Sequence, residues 1–145
     1  MASLSRTGEH AACWLAFGTG GALLDSSPAR RRQWRRGLRV VAGAYVLNYA
    51  VKVTVRRRRP VLDGLPPLTP TVSQLSLPSA HATSSFAAAY AFRELAPPGL
   101  LYGMALTFAV SRPYLGVHFP SDVLIGAALG TALARATVGP PGFFR

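Results

Sequence analysis

Ser111-Arg112-Pro113-Tyr114-Leu115-Gly116-Val117-His118-Phe119-Pro120-Ser121-Asp122 links an apolar run over residues 100–110 to another over residues 119–138. Pro120 suits the first turn of a helix, so His118 stands at the mouth of a helix. Asp122 follows His118 by four residues, about one turn, which lets the two side chains meet. A carboxylate bonded to one ring nitrogen fixes the imidazole tautomer and leaves the other nitrogen free to attack. The bland alternative is a helix-start aspartate facing the helix dipole beside an interfacial histidine. Two clusters upstream weigh against it.

Pro78-Ser79-Ala80-His81 precedes an apolar run over residues 82–95. Backbone N–H groups at a helix N-terminus attract anions. The Ser79 hydroxyl and the Ala80 N–H are therefore candidate donors to a phosphate oxygen, with His81 at the same mouth. Standing alone, an ordinary serine N-cap beside a polar histidine is the better explanation of this cluster. Further upstream, Lys52 precedes Arg59-Pro60 by seven residues, two helical turns, which predicts one shared face if the helix runs through. Arginine offers a planar fork matched to phosphate oxygens, and lysine a compact charge. Arg56, Arg57 and Arg58 read instead as cations snorkelling at a membrane boundary.

Rare residues concentrate in these clusters. Lys52 is the chain's one lysine, and two of its three histidines are His81 and His118. With Arg59, Arg112, Ser79 and Asp122 they supply what is needed to hold a phosphoryl group, attack it and protonate its leaving group. No metal and no cofactor is expected.

Five apolar stretches cover residues 11–24, 38–55, 82–95, 100–110 and 119–138. Residues 25–36 read as a polar loop with five arginines, and residues 61–77 as a loop rich in Pro, Thr and Ser. None of the five alone reaches the roughly 20 apolar residues of a spanning helix. Five in 145 residues, with only 14% charged residues to coat them, still favour a membrane bundle over a soluble one. The expected fold is all-α: an integral membrane bundle of about five transmembrane helices with the active site at one face. It is one domain, residues 1–145, with a motif core over 52–122.

Arginine placement orients that bundle. The arginines between residues 30 and 36 belong on the cytoplasmic side, together with Arg93, Arg135 and Arg145. All three clusters then fall on the opposite, extracytoplasmic face, and the N-terminus faces outward too. No cleavable signal sequence is evident, so the first apolar run is expected to stay in the mature protein.

A net charge of +11 can indicate nucleic acid, but these arginines cluster between apolar runs instead of covering a polar face. The expected partners are membrane lipids and a lipid-phosphate substrate, with no nucleic acid. Cys13, the single cysteine, excludes an internal disulfide and reads as a small filler. Oligomeric state leaves no signature.

The three clusters, K-x6-RP, PSxH and SR-x5-H-x3-D, resemble the type 2 phosphatidic acid phosphatase superfamily of lipid phosphatases and phosphotransferases. They occur in order from Lys52 to Asp122, about half the chain. The resemblance implies that His118 attacks phosphorus, forming a phosphohistidine, and that Asp122 orients it. It implies that His81 protonates the leaving oxygen, while Lys52, Arg59, Ser79, Ala80 and Arg112 bind the phosphate. Family members usually carry glycine where Ala80 stands, and membrane members commonly have six spanning helices. The text around the motifs, such as Tyr114-Leu115-Gly116-Val117-His118, is similar to small actinobacterial members that act on decaprenylphosphoryl-5-phosphoribose in cell-wall precursor synthesis.

The implied activity is a metal-independent membrane phosphatase acting on a phosphomonoester or diphosphate of a lipid-linked substrate. Phosphatidic acid, phosphatidylglycerol phosphate and polyprenyl diphosphate are alternative substrates. A vanadium-dependent haloperoxidase and a non-catalytic lipid-binding scaffold are the competing readings.

Overall fold

The computed structural model describes residues 11–61, 68–71 and 73–140. Five helices follow in order: α1 (Ala12–Leu24), α2 (Pro28–Val55), α3 (Ala80–Phe92), α4 (Pro98–Tyr114) and α5 (Pro120–Val138). Among the described residues there is no strand, only one isolated antiparallel bridge between Arg58 and Leu75. The expectation of an all-helical chain holds.

α3 is the axle of the bundle. Its sequence is mostly Ala, Ser and Thr, and Ala82, Ala87, Ala88 and Ala89 are fully buried. Small side chains let the neighbouring helices come close. α5 packs most extensively on α3, followed by α2 and α4. The closest approach uses two glycines one turn apart. A Cβ on Gly126 would stand 2.7 Å from the Ser79 carbonyl oxygen, and one on Gly130 would overlap that of Thr83. Any side chain at Gly130 would force α5 away from the start of α3, where His81 sits.

Aromatic residues fill the other end. Trp34 and Phe92 lie 5.2 Å apart, Phe17 packs edge-on against both, and Trp14 contacts Phe108. Cys13 packs at the edge of this cluster, consistent with a filler. The outer surface is apolar: Leu23, Leu24, Val46, Leu106, Val110, Leu124 and Ile125 are all exposed. Buried polar groups inside and exposed apolar groups outside suit a lipid surround. α2 and α5, with 28 and 19 residues, are long and apolar enough to cross a membrane on their own.

Two boundaries differ from expectation. The expected polar loop over residues 25–36 is mostly helix, because α2 starts at Pro28. Ser27 caps it through its hydroxyl, and Pro28 occupies the first turn, where a missing N–H costs nothing. Arginine is a good helix former, so charge alone was no reason to break the helix. At the other end α2 stops at Val55, short of Pro60. Arg56 turns into the left-handed region at φ 55°. Lys52 and Arg59 therefore do not share a helix face. The expected loop over residues 61–77 contains no helix where described; residues 62–67 and 72, like residues 1–10 and 141–145, lie outside the described residues.

Candidate active site

The chain beyond Arg56 is extended and pairs with the segment before Pro78. Arg59 N–H donates to the Gln74 carbonyl at 3.1 Å, and Ser76 N–H to the Arg57 carbonyl at 2.7 Å. This pairing, not helical spacing, brings Arg59 back over the end of α2. Lys52 is buried in the last turn of α2, and its Nζ donates to the Leu75 carbonyl at 3.4 Å. Arg59 donates through Nε to the Ser73 carbonyl at 2.8 Å and through Nη1 to that of Val117 at 2.6 Å.

Asn48 holds the second cluster. Its buried amide donates to the Pro78 carbonyl at 3.2 Å and to Thr83 Oγ1 at 2.9 Å. Ser79 N–H donates to the Asp122 carbonyl at 3.0 Å, tying the start of α3 to the start of α5. The Ser79 hydroxyl accepts from Ala82 N–H at 3.5 Å and is fully buried. It forms the N-cap and does not line the cavity, whereas Ala80 and His81 do.

The third cluster closes the site. Arg112 lies buried in the last turn of α4, and His118 sits in the short connection to α5. Asp122 has no exposed surface. Its Oδ2 accepts from Phe119 N–H at 2.9 Å and stands 3.4 Å from His118 Nδ1, close to it but without a formed hydrogen bond.

Arg59 Nη1 lies 3.1 Å from His118 Nε2. A guanidinium only donates, so Nε2 carries the lone pair and Nδ1 carries the proton, facing Asp122. Burial first, and then the charges of Arg59, Lys52, Arg112 and His81, push the His118 pKa down to about 2. The ring is therefore neutral at physiological pH, with its nucleophilic nitrogen turned toward the cations.

One cavity results, lined by Lys52, Arg59, Ala80, His81, Arg112 and His118. Six of the eight expected site residues meet there; Ser79 and Asp122 stand directly behind its wall. Asn48, Tyr45, Tyr49, Thr71 and Ser73 line it as well. Thr71 and Ser73 bring the loop after Arg59 to the cavity. Ser76 is buried against the Arg57 and Arg58 carbonyls, Thr69 is buried, and Gln74 is exposed.

Arg57 corrects the sequence reading. It does not snorkel: its Nη1 donates to Asp122 Oδ1 at 3.0 Å and to Ser121 Oγ at 2.9 Å. Its guanidinium lies 4.1 Å from the centre of the Phe119 ring. The signal for this partnership was only the proximity of Arg57 to Arg59 in sequence.

Residues 37–139 match the PAP2 superfamily. The chain belongs to the PAP2 superfamily. Among curated family members, the decaprenylphosphoryl-5-phosphoribose phosphatase of Mycobacterium tuberculosis is 43% identical over 139 residues, which is 94% of this chain and 73% of the relative. The enzyme of the same name from Mycolicibacterium smegmatis is 44% identical, covering 86% of this chain and 68% of the relative. In structure, the chain is similar to a transmembrane PAP2-type phosphatidylglycerolphosphate phosphatase from Bacillus subtilis. The TM-score is 0.66 at 25% identity, over 94% of this chain and 72% of the other. This chain is thus a PAP2 phosphatase, a hydrolase of phosphate esters, and a membrane protein.

Proposed function

We propose that this protein removes the phosphate from a polyprenyl-linked sugar phosphate, of which decaprenylphosphoryl-5-phosphoribose is the type, through a phosphohistidine on His118. The observation that carries the reading is the convergence of two imidazoles and three cations on one cavity, with Asp122 behind His118. The names of the relatives that cover most of this chain support the substrate class.

In the resting site Arg59 sits on His118 Nε2. An arriving phosphate draws that guanidinium onto its own oxygens and uncovers the nitrogen. Lys52, Arg59, Arg112 and the Ala80 N–H then hold the equatorial oxygens, with Ser79 keeping the backbone of that turn in place. Nε2 forms a bond to phosphorus as the bond to the sugar oxygen breaks, and His81 gives that oxygen its proton. Asp122 stabilises the positive charge that develops on the His118 ring. Water then attacks the phosphohistidine, giving its proton to His81, and inorganic phosphate leaves. None of these steps requires a metal, and activity in the presence of a chelator is expected.

The site belongs on the extracytoplasmic face of the plasma membrane, with the chain crossing it several times. The arginine-rich start of α2 supports this orientation. Tyr45 and Tyr49 face the cavity from α2 on the side of the bilayer interior and offer the wall along which an isoprenoid enters.

The test is phosphate release by the detergent-purified protein across polyprenyl phosphoribose, phosphatidylglycerol phosphate, phosphatidic acid and polyprenyl diphosphate. The highest kcat/KM is expected for the phosphoribose lipid, with activity lost in His118→Ala. The structural likeness to a phosphatidylglycerolphosphate phosphatase favours that lipid as the second reading. A preference for it would overturn the sugar-phosphate assignment and leave the phosphatase intact. Binding of all four lipids without turnover would return the chain to a scaffold.

A further inference from the structure

A second cavity opens at the other end of α2, away from the site above. Arg32, Arg36 and Arg39 line it at helical spacing, so they share one face of α2. Arg93 and Glu94, just past the end of α3, form the opposite wall, and Gln33 adds an amide. Four arginines against one glutamate give the lining a net charge of +3.

Part of this charge has a structural use. Arg36 donates to the Thr137 carbonyl, and Arg93 donates to that of Gly139 at 3.1 Å, so both satisfy the C-terminal carbonyls of α5. Arg93 also approaches Glu94 at 3.6 Å and lies over the Tyr90 ring. Arg32 and Arg39 make no hydrogen bond and no ion pair with any described residue. Two exposed guanidinium groups, held beside two more around a concave surface, make a lining suited to the oxygens of an anion.

Length says where that anion comes from. Lys52 follows Arg32 by twenty residues of continuous helix, about 30 Å along the axis. That matches the hydrocarbon thickness of a bilayer, about 30 Å. With the Lys52 end at one interface, Arg32 stands at the level of the headgroup phosphates of the other leaflet. At the same end of the bundle the last residues of α1, Leu23 and Leu24, are exposed and open to acyl chains.

We propose that this cavity binds the phosphodiester headgroup of an anionic membrane lipid, in the leaflet opposite the active site. Arg32 and Arg39 reach the phosphate oxygens, while Arg36 and Arg93 frame the cavity and anchor α5. An anionic lipid bound there ties the start of α2 to the ends of α3 and α5, and so steadies the bundle from the side remote from catalysis.

The full chain in neutral detergent is titrated with phosphatidylglycerol, with phosphatidylcholine and with inorganic phosphate. Bound lipid is counted by native mass spectrometry, and the unfolding midpoint is followed in parallel. The wild-type protein is expected to retain one phosphatidylglycerol and no phosphatidylcholine, and to unfold at a higher temperature with the former. Removing two headgroup cations in Arg32→Gln/Arg39→Gln should weaken phosphatidylglycerol binding about 30-fold while phosphatase activity in detergent persists. Arg35→Gln/Arg135→Gln removes the same net charge from exposed positions outside the cavity and should leave binding within about two-fold. Equal lipid retention by wild type and the cavity variant overturns the proposal. So does an equal loss in the control variant, which would mean a general field effect. Stabilisation by inorganic phosphate matching that by the lipid, and lost in the cavity variant, would reassign the cavity to a free anion.

Discussion

At the C-terminal end of α2, Lys52 is buried and Arg59 is held by two carbonyls and an imidazole nitrogen. At the N-terminal end, Arg32, Arg35 and Arg39 are exposed on a helix that starts with a simple serine cap. Both ends are strongly basic, and Arg30 and Arg36 at the second are held as well, yet only the first aims its held cations at a nucleophile. It does so with backbone carbonyls, which orient a cation without neutralising it. Among the described residues the one fully buried carboxylate, Asp122, is kept behind the cations that face the cavity and given to Arg57 and His118. A carboxylate inside the cavity would compete with a phosphate; placed behind it, the same group serves the nucleophile. Chemistry follows from how charge is held, not from how much there is.

The contrast can be broken most severely at His118. Replacing it with alanine should lower kcat by about 10⁴-fold or more, because no other group can form the covalent intermediate. Arg35→Gln at the opposite end should leave kcat/KM within about two-fold. Phosphate release on one substrate measures both. Asp122→Asn should cost about 10³-fold in kcat, since an amide no longer favours the proton on Nδ1.

Arg57 sharpens the comparison, because it is a surface arginine that acts through Asp122. Arg57→Ala should reduce kcat by about ten-fold with little change in KM, the loss expected for one charge-assisted bond to a positioning carboxylate. Arg57→Lys should recover part of that loss. A rise in KM with kcat unchanged would mean instead that Arg57 touches substrate.

Glycine substitutions test the scaffold beneath. Gly130→Ala should destabilise the bundle by ~1–3 kcal/mol, since its Cβ would overlap the Thr83 carbonyl oxygen. Gly103→Ala on α4 meets nothing within 4 Å and should stabilise by up to ~1 kcal/mol through helix propensity. Thermal unfolding in detergent separates the two.

Stability should also depend on pH. His118 is held neutral when folded, with its pKa pushed from 6.5 to about 2, so the unfolded chain binds an extra proton between those values. Stability should therefore be full above about pH 6.5 and fall as pH drops below it. His118→Gln should flatten that part of the profile in unfolding curves between about pH 7 and pH 4.5.

Much of this was legible before any coordinates. Five apolar stretches become five helices, and the four-residue step from His118 to Asp122 does bring the two side chains together. The start of α2 was also written plainly, in Ser27-Pro28, but five following arginines masked it. What could not be read was pairing over distance. Arg57 meets Asp122 across 65 residues, Asn48 meets Thr83 across 35, and Arg59 meets His118 across 59. None of these follows from a local period. The left-handed turn at Arg56 was equally hidden, because an arginine gives no signal of the kind that glycine gives.

The central claim is that His118 takes the phosphoryl group. Single-turnover reactions with a polyprenyl phosphoribose labelled with ³²P in its monoester, quenched in alkali, where phosphohistidine survives, and mapped by peptide, test it most directly. Label is expected on the peptide holding His118, formed and lost within one turnover and absent in His118→Ala. Phosphate released by a fully active enzyme with no label on the protein, or with label on any other residue, would contradict it.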